Sequence, residues 1–198
     1  MKGKCSRPMG TKIDPVEKSP AWRRLWGSAW IQVSANGGPI QEPYEPALQL
    51  LVRPWAGDDE SWTIYRHPLS RSPGKAEFRR WDRNADLERC RALGTRRLPS
   101  RWEATVAGHQ FPLSAHWVRG LERRFASILV PPIAGTIRSL SRDTSYELKQ
   151  WRGNQESAFG WNTKPPAAWK PISDLFFSLL RTFRGHIDGK PLVPITDL

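Results

Sequence analysis

Cysteine and long apolar runs are both scarce in this sequence. The 198 residues contain two cysteines, Cys5 and Cys90, which is too few and too widely spaced for a disulfide framework. Such scarcity fits a reducing compartment. The most apolar stretches, 128–130 and 175–180, are far shorter than the ~20 residues that a membrane span needs. We therefore expect a cytoplasmic protein that does not enter a membrane.

The sequence also lacks the short motifs that are typical of nucleotide-binding, metal-binding and hydrolase sites. There is no Gly-x-Gly, no Cys-x-x-Cys, no Gly-x-Ser-x-Gly and no pair of histidines at metal-ligand spacing. The carboxylates at 58–60 follow Gly57 in a turn, where solvated acids are usual. His67 lies in an arginine-rich loop and is interpreted as an ordinary surface residue. We expect no cofactor, no metal and no catalytic residue.

Aromatic residues and turn formers are abundant. The chain contains 11 Trp, 7 Phe and 3 Tyr, enough aromatic mass to build a core. It also contains 18 Pro and 15 Gly, which favour short elements separated by turns. Together these counts exclude a disordered chain and indicate a folded domain.

The net charge of +12 is concentrated in two segments. Residues 1–24 carry a net charge of +5 and residues 66–101 carry +7. The charges of the other two segments, −4 over 25–65 and +4 over 102–198, cancel each other. A local excess of this kind is the electrostatic footprint of a binding surface, although arginine-rich composition alone can serve solubility. The candidate binding surface comprises seven arginines: Arg79, Arg80, Arg96, Arg97, Arg101, Arg119 and Arg123.

Tryptophan repeatedly neighbours arginine, as in 22–24, 79–81, 101–102 and 151–152. In proteins that bind single-stranded nucleic acid, aromatic rings stack on bases while cations hold the phosphates. Alternation along a strand offers the other interpretation, in which each tryptophan enters the core and the adjacent arginine faces solvent. The sequence favours the second interpretation without deciding the matter.

Apolar periodicity predicts an α+β fold. Alternating residues predict strands at 29–34, 47–53, 61–66, 78–81, 144–151 and 157–162. Helical spacing and caps predict helices at 82–93, 113–129 and 171–183. The fold class is an antiparallel sheet of five to six short strands, with two to three helices packed on one face. We divide the chain into a loose basic tail (1–20), a single domain (21–185) and a C-terminal extension (186–198).

The C-terminal third carries a family-like pattern. Leu140 and the run 143–148 are followed by Phe159-Gly160-Trp161 and by Pro165-Pro166-Ala167-Ala168-Trp169 before the last helix. Over residues 113–184 this resembles a family of small uncharacterised bacterial proteins with a Leu-Asp-Gly-Thr-x-Tyr-x-Leu hairpin and a Pro-Pro-x-x-Trp-x-x-Leu helix start. Arg142-Asp143-Thr144 stands in place of Asp-Gly-Thr, so the turn glycine is missing. The resemblance implies a fold and no reaction.

Three functional hypotheses follow. The first is a non-enzymatic interaction protein whose basic surface binds an acidic protein partner. The second is a nucleic-acid-binding protein that uses segment 66–101 and the N-terminal tail. The third is an enzyme of undetected type, which a deep pocket holding a histidine and a carboxylate would support.

Overall fold

One antiparallel sheet organises the protein. The computed structural model describes residues 15–35, 43–55, 57–69, 71–93, 103–129, 143–153 and 155–197. Its six strands are β1 (Glu45–Arg53), β2 (Glu60–Arg66), β3 (Gly74–Trp81), β4 (Val106–Leu113), β5 (Ser145–Arg152) and β6 (Gln155–Asn162). They lie in the order β4-β3-β2-β1-β5-β6. The predicted α+β fold with an antiparallel sheet is confirmed.

Four helices pack against this sheet: α1 (Pro20–Ser34), α2 (Arg83–Leu93), α3 (Ala115–Ser127) and α4 (Lys170–Ile187). Side-chain caps fix where three of them begin. Ser19 Oγ accepts from the Trp22 N–H, and Ser114 Oγ accepts from the Trp117 N–H, each at 3.1 Å. Asp82 Oδ1 accepts from the Ala85 N–H at 2.9 Å, as predicted for the start of α2.

The larger core lies on the first face of the sheet, under α3 and α4. Alternate strand residues point toward it, with Leu50, Trp62 and Phe78 side by side on β1, β2 and β3. From α4, Phe183 stacks on Trp62 with ring centroids 5.3 Å apart. The remaining helical residues of this core include Trp117, Leu121, Phe125, Ile172, Leu175, Phe176, Leu179 and Leu180.

A helix, α1, covers the second face of the sheet. The expectation that all helices lie on one face is therefore wrong. α1 crosses this face, where Ser61 Oγ donates to the Val33 carbonyl at 2.5 Å. A smaller core joins α1 to Trp81 and to α2. The reason is periodicity on β1–β3: both sets of alternating positions are largely buried, so both faces need a helix.

The predicted strand at 29–34 is wrong, because those residues form the second half of α1. Trp22, Leu25, Ala29 and Val33 are buried at helical spacing, and this period outweighs the local alternation. Most of the expected tail, residues 1–14, lies outside the described residues. Pro15–Lys18 forms a 3-10 turn that leads into α1.

The predicted hairpin near the C-terminus is confirmed. Tyr146 pairs with Trp161 and Leu148 with Phe159, as expected from the sequence. The turn begins at Gly153, whose φ of +57° is a conformation that favours glycine. Beyond α4 the chain returns to α3, where the Trp117 indole donates to the Val193 carbonyl at 3.2 Å.

Candidate functional site

The predicted arginine surface is divided by the fold. Arg96, Arg97 and Arg101 lie outside the described residues. Arg79 lies on the second face of the sheet, while Arg119 and Arg123 lie on α3, over the first face. Of the four predicted arginines that the structure describes, Arg119 and Arg123 lie together at one cavity.

Arg79 is committed to a buried polar layer beneath the end of α1. Its guanidinium donates to the Gln32 carbonyl at 2.9 Å and to Glu77 Oε1 at 3.0 and 3.1 Å. Tyr65 donates to the other Glu77 oxygen at 3.0 Å. Burial, reinforced by the Glu77 charge, raises the pKa of Tyr65 well above its usual value. With its side chain 18% exposed, Arg79 holds α1 on the sheet.

Arg80 is more accessible, with 53% of its side chain exposed, and its Nε lies 3.8 Å from Asp58. Its strand neighbour is Glu60, which accepts from Arg184 Nε at 3.0 Å. This end of the sheet therefore mixes acids and bases in alternation. Surface pairs of this kind contribute little to stability and leave no uniform basic field.

A groove beside α3 brings four arginines around one cavity. Arg119 and Arg123 line it from α3, Arg66 from the end of β2 and Arg152 from the end of β5. Its volume is about 670 Å³, and a second cavity of about 410 Å³ adjoins it through Arg66, Arg119 and Glu122. We call the two cavities together the arginine groove.

Arg66 stands between the two cavities and is held on both sides. Its Nε and Nη2 donate to Glu45 Oε2 at 3.1 and 3.0 Å, and its Nη1 donates to Glu122 Oε1 at 3.2 Å. Burial disfavours the charged guanidinium, but the hydrogen bonds to Glu122 and Glu45 outweigh that effect and raise the pKa of Arg66. Arg66 is thus a fixed cation that orients the acids around it.

The larger cavity has an excess of positive charge. Four arginines face one carboxylate, Glu122, and the remaining lining is Ala126, Gln150 and Trp151. The Trp151 indole donates to Glu156 Oε2 of the neighbouring strand at 3.1 Å. Guanidinium groups bind carboxylates and phosphates through paired hydrogen bonds, which makes the groove suited to an anionic ligand.

The smaller cavity contains a histidine and two carboxylates, the combination that would support an enzyme. His67 Nδ1 accepts from the Leu69 N–H at 3.0 Å, so that nitrogen is not free to act as a base. Glu45 and Glu122 are both engaged by Arg66. Among the described residues no hydrogen bond joins His67 to a carboxylate, so this cavity lacks an oriented acid–base pair.

Two of the tryptophans that neighbour arginine in the sequence, Trp22 and Trp81, offer no stacking surface. Trp22 and Trp81 are both 1% exposed in the smaller core. Trp102 lies outside the described residues, and Trp151 is half-buried beside the groove. For Trp81 on β3, the prediction that tryptophan enters the core beside a more accessible arginine is confirmed. Trp22 is equally buried beside the exposed Arg23, but it lies on helix α1, so alternation along a strand is not the reason.

Sequence reasoning missed Arg66 and Arg152 as site residues. Arg66 belongs to the basic segment 66–101, so the sequence shows its charge but does not show that it lies beside α3. Arg152 ends β5, more than eighty residues further along the chain. Only the pairing of β1 with both β2 and β5 brings the ends of these strands to the same side of α3.

Other site types gain no support within the described ranges. No group of three or more histidine, cysteine, aspartate or glutamate residues there could hold a metal ion. No helix in that part of the chain is long and apolar enough to cross a membrane. The chain matches no protein-family model, and no curated protein or solved structure is significantly similar to it. The family resemblance over residues 113–184 therefore stays a prediction.

Proposed function

We propose that the protein is a non-enzymatic binding protein that docks an acidic segment of a protein partner in the arginine groove. The observation that carries this proposal is the convergence of Arg66, Arg119, Arg123 and Arg152 on one open cavity of about 670 Å³. Opposite charges across an interface steer encounter and fix register. Arginine suits such a site because its planar fork binds a carboxylate through two hydrogen bonds.

A protein partner is favoured over nucleic acid by the placement of the aromatic residues. Single-strand binders need exposed rings between their cations, and Trp22 and Trp81 are buried. Arg79 lies within the basic segment of the sequence, but its guanidinium donates hydrogen bonds to Gln32 and Glu77 inside the fold. The groove retains the charge of four arginines for an anionic partner.

The test is a titration of the full chain with a fluorescein-labelled oligoglutamate peptide, and in parallel with labelled single-stranded and duplex oligonucleotides. The charge-reversed variant Arg119→Glu/Arg123→Glu should weaken peptide binding about tenfold or more. Arg23→Glu/Arg24→Glu is the matched control, since it makes the same change on exposed positions of α1, across the sheet. This control should bind the peptide within about twofold of wild type.

Two results would overturn the proposal. One is peptide binding that both double variants weaken equally, because binding would then follow net charge rather than the groove. The other is groove-dependent binding of an oligonucleotide with no binding of the peptide, which would make the protein a nucleic-acid binder. A log–log salt slope near 0.7–0.9 per neutralised phosphate would accompany that second result.

A further inference from the structure

The edge strand β4 lacks most of the features that keep sheet edges apart. It lies at one end of the six-strand order, and its four central residues, 107–110, are exposed. None of its eight residues is charged. Natural edges are usually guarded by charges, bulges, prolines or a covering element, and here Pro112 near the end of the strand is the one such feature within β4.

The opposite edge of the sheet, β6, differs in this respect. Glu156 lies on β6, and Lys149 of the neighbouring strand is 3.9 Å from its carboxylate. A charged pair on an edge disfavours the approach of another strand. The two ends of the sheet are therefore not equivalent, and β4 is the one whose own residues carry no charge to oppose pairing.

The hydrogen-bonding direction of each β4 residue follows from the ladder. The Asp82 N–H donates to the Thr105 carbonyl at 2.8 Å, just before the register pairs Val106 with Trp81. Since hydrogen-bonded and non-bonded pairs alternate, residues 107, 109, 111 and 113 bond to β3. Val106, Gly108 and Gln110 then direct their backbone groups outward. Pro112 falls in this outward set, where its missing N–H costs no ladder bond.

This outward set is symmetric about Gly108. If a second copy approached antiparallel, Gly108 would lie opposite its counterpart, and Val106 would lie opposite Gln110 of the second copy. Each N–H would meet a carbonyl, giving three hydrogen-bonded pairs. Between them, the small Ala107 would face His109 of the second copy in a non-bonded pair, where side chains approach most closely.

We propose that β4 is a self-association edge, through which two copies join their sheets by antiparallel pairing centred on Gly108. The occupant is a second copy because the outward N–H and C=O groups of one β4 match those of another β4 in antiparallel pairing. No charged residue on the strand opposes that approach. Each copy carries +12, so general repulsion opposes association at low salt and is screened as salt rises. This inference does not depend on the proposed groove function.

The first test is sedimentation velocity of the full chain over a concentration series at low and high salt. The expected result is a monomer–dimer equilibrium that shifts toward dimer as salt increases. Binding in the arginine groove would have the opposite salt dependence, so the two proposals can fail separately. A chain that remains monomeric over the whole series would overturn this one.

A pair of double variants tests the register. Ala107→Glu/His109→Glu places like charges opposite each other in both symmetric pairs and should weaken dimerisation about tenfold or more. Ala107→Glu/His109→Lys places opposite charges there and should leave the dimer constant within about threefold of wild type. Equal weakening by both would overturn the Gly108-centred pairing. Thermal unfolding of each variant checks that the monomer is intact, since both positions are exposed.

Discussion

Trp22 of α1 and Trp81 of β3 lie in ring contact, with their centroids 5.6 Å apart and their planes inclined at 36°. Both rings are buried, and around them the smaller core joins α1 and α2 to the second face of the sheet. Aromatic contacts of this kind add to the large apolar area that each ring buries. This contact is one apolar attachment of α1, and the polar layer at its C-terminal end is another, polar one.

Truncation of the first ring should therefore destabilise the whole fold. Trp22→Ala is expected to lower the free energy of unfolding by about 3–5 kcal/mol. Trp22→Phe keeps much of the apolar contact with Trp81 and should cost less than half as much. Urea denaturation of both variants measures the difference. An unchanged midpoint for Trp22→Ala would show that α1 does not contribute to the cooperative core.

On the first face, truncation of Leu179 tests in the same way how much the packing of α4 contributes to stability. It is 0% exposed in the larger core, so Leu179→Ala should cost about 2–5 kcal/mol of unfolding free energy. Ile187 ends the same helix at 41% exposure, so Ile187→Ala is the matched control and should cost less than about 0.5 kcal/mol. Equal costs at both positions would contradict the packing of α4.

The sequence predicts most of the elements on this first face and fewer on the second. The stripe of α3 and the cross-strand pairs of the hairpin could be predicted because each repeats one local period over several residues. Residues 29–34 alternate in composition yet belong to a helix, because Val33 and Ala29 continue a stripe that begins at Trp22. β4 was missed because Gly108 and Pro112 are poor strand residues that an edge strand tolerates.

The groove was predictable only in part, for a related reason. Arg119 and Arg123 stand four apart on the polar side of α3, so the sequence shows that they share a helix face. Arg66 and Arg152 are brought beside them by strand pairing across more than eighty residues. Local periodicity carries no information about such a juxtaposition, and the buried role of Arg79 is equally a tertiary property.

Asp86 is a fully buried carboxylate that bonds to Trp81 of the smaller core and accepts four hydrogen bonds. Its Oδ2 accepts from the Trp81 indole at 2.8 Å and from the Thr105 N–H at 2.9 Å, and its Oδ1 accepts from Arg89 and from the Thr105 hydroxyl. Asp86→Asn preserves shape but turns an NH₂ group toward donors.

The expected cost of Asp86→Asn is about 2–4 kcal/mol of unfolding free energy, since hydrogen bonds to a charged acceptor are lost and buried donors stay unpaired. Thermal and urea unfolding measure it. Asp174→Asn, at an exposed position of α4, removes the same charge and should cost below about 1 kcal/mol. A smaller loss at Asp86 than at Asp174 would contradict the structural role of the network.

Asp59 should make stability depend on pH. Burial raises the pKa of this carboxyl from 3.8 to about 6, against the opposing influence of Arg53, whose Nε lies 3.9 Å away, and of the Trp26 side chain. The folded protein therefore binds this proton more tightly than the unfolded chain does. The associated stabilisation is complete below about pH 4 and is lost as the pH rises through about 6.

Asp59→Asn should remove this dependence. Relative to the variant, the wild type is expected to lose roughly 3 kcal/mol or less of unfolding free energy between pH 4 and pH 7. The measurement is urea unfolding of both proteins across that range, with the exposed Asp143→Asn as a charge-matched control. A constant difference between Asp59→Asn and wild type at every pH would contradict the raised pKa.

The last prediction concerns Glu122, the one carboxylate that faces both cavities of the arginine groove. It neutralises part of the groove and accepts a hydrogen bond from Arg66 at 3.2 Å. Glu122→Gln removes this negative charge while Arg66 stays held by Glu45. An acidic peptide should then bind about twofold to fivefold more tightly, because the carboxylate that repels it in the groove is gone.

Glu88→Gln, on an exposed turn of α2, makes the same change in net charge away from the groove. Fluorescence titration of oligoglutamate against the two variants distinguishes local from general electrostatics. If both tighten binding equally, the groove is not where the acidic segment docks.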